Sequence, residues 1–104
     1  MKKIPISEKN LYYSVINEVI DPDIGIGVAD MGLIYEAVET NGTINVKMTL
    51  TSMGCPAGPQ LIASVKEVLK KKSAVKKAEV ELVWDPPWTP EFMKKELKEM
   101  IFGA

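Results

Sequence analysis

The reactive chemistry open to this chain centres on one side chain. Cys55 is the only cysteine, and it sits in Thr51-Ser52-Met53-Gly54-Cys55-Pro56, after an alternating apolar stretch and before a helical pattern. A thiol at a strand-to-helix turn faces the free N–H groups of the first helical turn and the positive end of the helix dipole. Both favour thiolate over thiol. Pro56 or Pro59 could open the helix, and the spacing leaves that choice unresolved. Thiolate is the form that binds soft metals and attacks persulfides or disulfides. The competing reading is an inert buried cysteine. Gly54 and Pro56 weigh against it, because they place Cys55 at a shaped turn and not inside an element.

Other residues limit what Cys55 can do. The chain has no histidine, which removes the usual general base near neutral pH and with it Ser-His and Cys-His triads. One thiolate is too few for a closed zinc or iron-sulfur site, which normally takes four protein ligands, so no permanent metal centre is expected. Two copies of Cys55 across a two-fold axis, or Cys55 and a partner's ligand, could bridge a labile cluster. Thr49, Thr51 and Ser52 at the end of the alternating stretch, and Asp21, Asp23 and Asp30 in an irregular loop, are candidates to surround the thiol. Turn and cap work for the aspartates, and strand propensity for the threonines, are the simpler readings of each taken alone. Trp84 and Trp88, around Asp85-Pro86-Pro87, could form an aromatic docking surface or pack the last helix. The glycines of Gly25-Ile26-Gly27 and Gly32 lack dinucleotide-loop spacing and read as loop residues.

These groups need a scaffold, and the periodicity supplies one. Ser7 is a candidate cap for a first helix whose apolar stripe runs Leu11, Tyr12, Val15, Ile16, Val19 and Ile20, stopped by Pro22. Asp21 to Gly32 is irregular. Leu33 to Thr51 alternates with period two about Asn41-Gly42, a favoured two-residue hairpin turn. With that turn, facing residues sum to 83: Leu33-Leu50, Tyr35-Met48 and Ala37-Val46 share the inner face, and Ile34-Thr49, Glu36-Lys47 and Val38-Asn45 the wetter one. Leu61, Ile62, Val65, Val68 and Leu69 mark a second helix ending near Ser73. Ala78 to Trp84 forms a third strand, joined by a crossover that predicts parallel pairing. Thr89 and Pro90 open a final helix carrying Phe92, Met93, Leu97, Met100 and Ile101. The order αββαβα defines one α+β domain spanning residues 1–104, a small mixed three-stranded sheet with helices over its apolar face.

Composition agrees. The 104 residues are 46% apolar and 26% charged, within the range of folded soluble domains, and a chain of this size buries roughly 65% of its unfolded surface. Thirteen basic and fourteen acidic residues give a net charge of −1, so there is no overall positive field of the kind nucleic-acid binding needs. No apolar run approaches the length that spans a bilayer, and one unpaired cysteine suits a reducing, cytoplasmic setting.

With these residues in place, the sequence resembles the iron-sulfur cluster assembly domain family of the SufT and PaaD type. The resemblance runs from about Tyr12 to Met93. It rests on Asp21-Pro22-Asp23, on Val28 to Tyr35 (Val-Ala-Asp-Met-Gly-Leu-Ile-Tyr), on Met48 to Pro56, and on Val83 to Trp88 (Val-Trp-Asp-Pro-Pro-Trp). It implies the same element order, a role in maturing iron-sulfur proteins, Cys55 as the characteristic functional residue, and a pocket drawing on Asp21, Asp23, Asp30, Thr49 and Thr51. Asp23 departs from the family's usual Asp-Pro-Glu by one methylene. The implied partners are iron-sulfur client apoproteins and other assembly factors, with a homodimer compatible. Three roles follow: an assembly factor in which Cys55 holds or transfers iron, sulfide or a labile cluster; a non-catalytic adaptor docking clients through Gly25 to Gly32 and Trp84 to Trp88; and, last, a thiol enzyme, which would lack a visible base.

Overall fold

The hairpin organises the molecule. In the computed structural model, which describes residues 4–22, 24–51 and 58–102, Asn41 and Gly42 have φ of 53° and 87°. Positive φ at both central residues is what a tight turn matched to strand twist requires. The strands on either side are Ile34–Thr40 and Thr43–Met48. Their register follows the sum of 83 from Glu36↔Lys47 to Thr40↔Thr43, then shifts, so that Ile34 pairs with Met48.

The shift is a bulge at Tyr35, and it corrects the predicted facing pairs at the far end of the hairpin. One extra residue on the first strand redirects the side chains beyond it. Ile34 and Thr49, expected on the wetter face, are fully buried, and Leu33 and Tyr35 are buried as well. The Thr49 N–H donates to the Leu33 carbonyl at 2.8 Å.

In chain order the elements are α1 (Tyr13–Ile16), β1 (Ile20–Asp21), β2 (Ile26–Gly27), β3 (Ile34–Thr40), β4 (Thr43–Met48), α2 (Gly58–Lys72), β5 (Lys77–Leu82), a 3-10 turn (Pro90–Phe92) and α3 (Lys95–Phe102). β4 pairs with β3 antiparallel and with β5 parallel, giving the mixed sheet β3-β4-β5. The α+β architecture expected from periodicity is therefore present, with a small β1-β2 ribbon added inside the loop that read as irregular.

One face of the sheet is covered. Ile44, Val46 and Met48 of β4 and Ala78 of β5 meet Leu61, Val65 and Leu69 of α2, with Ile16, Val28, Met31 and Leu33 completing the core. Burying Leu61, Val65 and Leu69 contributes about 5–9 kcal/mol. The exposed i,i+4 pair Lys71–Glu67 contributes about 0.5 kcal/mol at most, so the apolar stripe decides how α2 docks. The opposite face is a polar array in register, with Lys47 between Glu36 and Glu81 and Asn45 between Val38 and Glu79.

Two helices are shorter than their patterns predict. The first was expected from Ser7 to Ile20, yet only Tyr13–Ile16 is α-helical. Asn10 bends the chain into successive turns, its side-chain oxygen accepting from Tyr12 N–H at 2.9 Å and its carbonyl from Tyr13 N–H at 3.1 Å. Leu11 is left 80% exposed, outside the stripe, and Ile20 leaves to pair with Gly27. At the other end Thr89 caps as expected, accepting from Glu91 N–H at 3.1 Å. Met93 then adopts extended backbone, ψ 152°, and splits the final helix in two.

The segment after β5 straps the Val28–Tyr35 region. The Tyr35 hydroxyl donates to the Pro86 carbonyl at 2.8 Å, the Trp88 indole N–H to the Met31 carbonyl at 2.8 Å, and the Lys94 N–H to the Asp30 carbonyl at 2.9 Å. Gly32 lies at φ +78° against the Phe92 backbone, where a Cβ would collide with it. Tyr35 and Phe92 rings meet edge to face, 5.6 Å apart. No described helix is long and apolar enough to cross a membrane.

Candidate functional site

The residues that bracket the cysteine converge at one end of α2. β4 ends at Met48, Leu50 is buried and Thr51 is exposed, and six residues later α2 begins at Gly58. The two ends of this connection touch: a Cβ on Gly58 would come within 2.8 Å of Leu50 Cδ1. Glycine at position 58 therefore lets the helix start directly against the end of the sheet. Cys55 and Ser52 belong to residues 52–57, and these two, like Asp23, lie outside the described residues.

Asp21 borders the same end. Val19, Ile20 and Pro22 line a groove of about 370 Å³ with Gln60, Leu61 and Ser64 from the first turns of α2. A ladder of backbone hydrogen bonds ties this stretch to the hairpin, from Val28 N–H to Val19 O (2.9 Å), Leu33 N–H to Val28 O (3.1 Å) and Thr49 N–H to Leu33 O (2.8 Å). Asp21 is 3% exposed, and its carbonyl accepts from Gly25 N–H at 2.7 Å.

Thr49 is fully buried, and its hydroxyl oxygen has no hydrogen-bond partner among the described residues. The Tyr35 phenol lies close enough for the Thr49 hydroxyl to favour its ionised form, but burial dominates and raises the phenol above its ordinary value. Tyr35 gives its own proton to Pro86, and no described group lies in hydrogen-bond geometry with Thr49 Oγ1. A buried hydroxyl left without a partner costs about 1–3 kcal/mol.

Asp30 is held differently. Its carboxylate accepts from the Tyr13 hydroxyl at 2.6 Å, its N–H donates to Asn17 Oδ1 at 2.8 Å, and its carbonyl accepts from Lys94 N–H. Burial, and then Asp30 itself, raises the Tyr13 phenol far above its ordinary value. Asp30 opens onto a cleft with Glu8, Lys94, Glu96 and Leu97, and none of these lines the groove beside Asp21. The Lys94 ammonium is pulled up by Glu8, 3.2 Å away. Among the described residues, no group of three or more Asp, Glu, Cys or His could hold a metal ion.

The tryptophans divide. Trp88 is half-buried and spends its indole N–H on Met31, whereas Trp84 remains 37% exposed. In the loop from Gly25 to Gly32, offered above as a docking surface, Val28, Ala29 and Met31 point into the core. Among the described large apolar residues of those two loops Trp84 alone is exposed, and Ile24, just before Gly25, is exposed beside them.

Tyr13 and Asn17 were not singled out from sequence, yet they fix Asp30. They sit at i and i+4 on α1, so one helix face presents both to the loop. Polar groups at that spacing beside an apolar stripe are the signal that marks them.

The chain matches the iron-sulfur cluster assembly protein family over residues 13–82 and belongs to it. It is 48% identical over 81 residues to the Fe-S protein maturation auxiliary factor SufT of Staphylococcus aureus, covering 77% of this chain and 92% of that one. It is 39% identical over 84 residues to the Fe-S protein maturation auxiliary factor YitW of Bacillus subtilis, covering 80% and 82%. A crystal structure of a DUF59 domain from Bacillus anthracis superposes with a TM-score of 0.79 at 35% identity, covering 88% of each chain.

Proposed function

We propose that this chain is an iron-sulfur protein maturation factor whose working end is the connection between Thr51 and Gly58. Cys55 is its thiolate, holding iron, sulfide or a labile cluster as cargo and passing it to a client apoprotein. The observation that carries the reading is the contact of Gly58 with Leu50. It brings the end of β4 to the start of α2, and Cys55 is among the residues that join the two in sequence, just before a helix N-terminus. That location favours the charged thiolate. Membership of an iron-sulfur cluster assembly family and relatives named as Fe-S maturation factors support the cargo.

Roles for the neighbours follow from their placement. Asp21, buried between Ile20 and Pro22, which line the groove against α2, and Thr49 and Thr51, which follow the hairpin, shape the pocket. Ser52 and Asp23, adjoining them in sequence, complete it. Asp30 acts at one remove, as a positioning residue that locks the Val28–Tyr35 region through Tyr13, Asn17 and Lys94. Trp84 is the aromatic group left for a client to meet. A cluster bridged by two Cys55 thiolates requires a homodimer or a partner's ligand.

Anaerobic reconstitution with ferrous iron and sulfide tests the reading, comparing wild type with Cys55→Ser by absorbance and by mass in solution. A chromophore that depends on Cys55 is expected, in a species of twice the monomer mass. A colourless wild type would transfer the assignment to a docking adaptor. Alkylation against pH gives a second check, with an apparent Cys55 pKa below the ~8.5 of a free thiol expected.

A further inference from the structure

The net charge of −1 conceals a strong separation of charge. Residues 66–77 hold six of the thirteen basic residues and one of the fourteen acidic ones, a local charge of +5; the remaining chain holds seven basic and thirteen acidic, a charge of −6. In the fold this segment is one end of the molecule: the last two turns of α2 and its connection to β5. The Lys76 and Lys77 N–H groups both donate to the Gly42 carbonyl, at 2.7 and 3.1 Å, which pins the connection to the hairpin tip. The basic end is therefore a defined surface on a fixed frame.

The charges are presented outward. Lys70, Lys71, Lys72, Lys76 and Lys77 are exposed and Lys66 is half-exposed. Lys71, Lys72 and Lys77 pair with Glu67, Glu18 and Glu79, while Lys66, Lys70 and Lys76 form no ion pair with any described residue. Complementing the helix dipole accounts for lysines in the last turn. It does not account for Lys66, a turn and a half earlier, or for Lys76 and Lys77 beyond the helix.

We infer that this basic end is a docking surface for an acidic protein partner. The chemistry selects that class over other polyanions. The chain contains no arginine: all thirteen basic residues are lysine, so the planar fork that grips phosphates and guanine bidentately is missing. The segment also offers no aromatic residue for stacking on bases, and its exposed apolar residue is Ala74, too small to anchor in a lipid interface. A flat polyanion would also meet the −6 of the rest of the molecule, whereas a compact acidic patch meets only the +5 end. The start and end of α2 lie about 21 Å apart, well beyond the ~8 Å screening length of physiological salt. A partner seated on the lysines leaves the Cys55 end clear. This inference goes beyond the maturation reading and does not depend on it, since its test reads binding and not cluster content.

The full chain is titrated against a fluorescent poly-L-glutamate peptide by anisotropy, at low salt and at physiological salt. Two triple variants with the same change in net charge are run beside it: Lys66→Gln/Lys70→Gln/Lys76→Gln at the basic end, and Lys9→Gln/Lys47→Gln/Lys95→Gln elsewhere, all of these residues being exposed except the half-buried Lys66. Vesicles containing phosphatidylserine and a short DNA duplex are the competing probes. The expected result is salt-sensitive binding to polyglutamate, weakened about tenfold or more by the first variant and less than about twofold by the second, with vesicles and DNA bound more weakly. Absence of binding at low salt, equal losses in the two variants, or tighter binding to vesicles or DNA overturns it. Circular dichroism of each variant confirms that any loss of binding is not a loss of fold.

Discussion

Asp30, two residues after Val28, and Thr49, bonded through its N–H to Leu33, are held in opposite ways. Around Asp30 the phenol of Tyr13, the amide of Asn17 and the backbone of Lys94 are all engaged. Around Thr49 the backbone is bonded to Leu33, but the hydroxyl is buried with no partner among the described residues. A satisfied polar network fixes one geometry, while an unsatisfied group is retained at a cost. The difference teaches that the acid at position 30 is held by the frame, while the hydroxyl of Thr49, just after β4, is buried without helping to hold it.

The largest expected effect tests the frame. Gly32→Ala places a Cβ against the Phe92 backbone at φ +78°, and urea unfolding should show a loss of about 3–5 kcal/mol. Gly25→Ala has a similar φ of +79° but open space around it, so it should lose only about 1–2 kcal/mol. Equal losses would mean that the strap over Gly32 is loose.

Next comes the joint at Asp30. Tyr13→Phe deletes the hydroxyl that the carboxylate accepts from and should cost about 1.5–3 kcal/mol at neutral pH. The raised phenol adds a signature in pH. The unfolded chain releases this proton near pH 10 while the folded chain retains it, so the wild type loses stability as pH rises above about 10. Tyr13→Phe should flatten that fall, with the part due to the raised Tyr35 phenol remaining. Unchanged slopes would break the assignment of Tyr13.

Thr49→Val should move the other way. Replacing an unsatisfied hydroxyl by a methyl group is expected to leave stability unchanged or raise it by up to about 1 kcal/mol, while cluster reconstitution falls if the hydroxyl serves the cargo. A clear loss of stability would give Thr49 a structural partner and erase the contrast with Asp30. The smallest effect belongs to the surface: Lys72→Gln breaks the 2.7 Å pair with Glu18 at a cost of about 0.5 kcal/mol or less.

What the sequence by itself determined is the pattern of local preferences. Asn41-Gly42 set the turn and the hairpin register near it, because two successive positive φ values are inexpensive only for such residues. The stripe Leu61-Val65-Leu69 set α2 and its buried face, and alternation in Lys77–Leu82 set β5. Thr89 and Pro90 marked the start of the 3-10 turn for the same local reason. Cys55, with Thr49, Thr51 and Asp21, was legible as a set of candidates, since residue type and flanking turn residues are properties of the chain.

Tertiary structure decided the rest. The bulge at Tyr35 turns Ile34 and Thr49 inward, because Tyr35 is drawn to Pro86 and Phe92, over fifty residues away. The first helix is four residues long because Asn10 turns the chain before Tyr13 and Ile20 leaves to pair with Gly27, an outcome no apolar period records. Asp30 was a candidate pocket acid in the sequence, and the partners that hold it, Tyr13, Asn17 and Lys94, come from two other parts of the chain. Each of these outcomes depends on contacts between residues distant in sequence, whose energies exceed the local preferences they override.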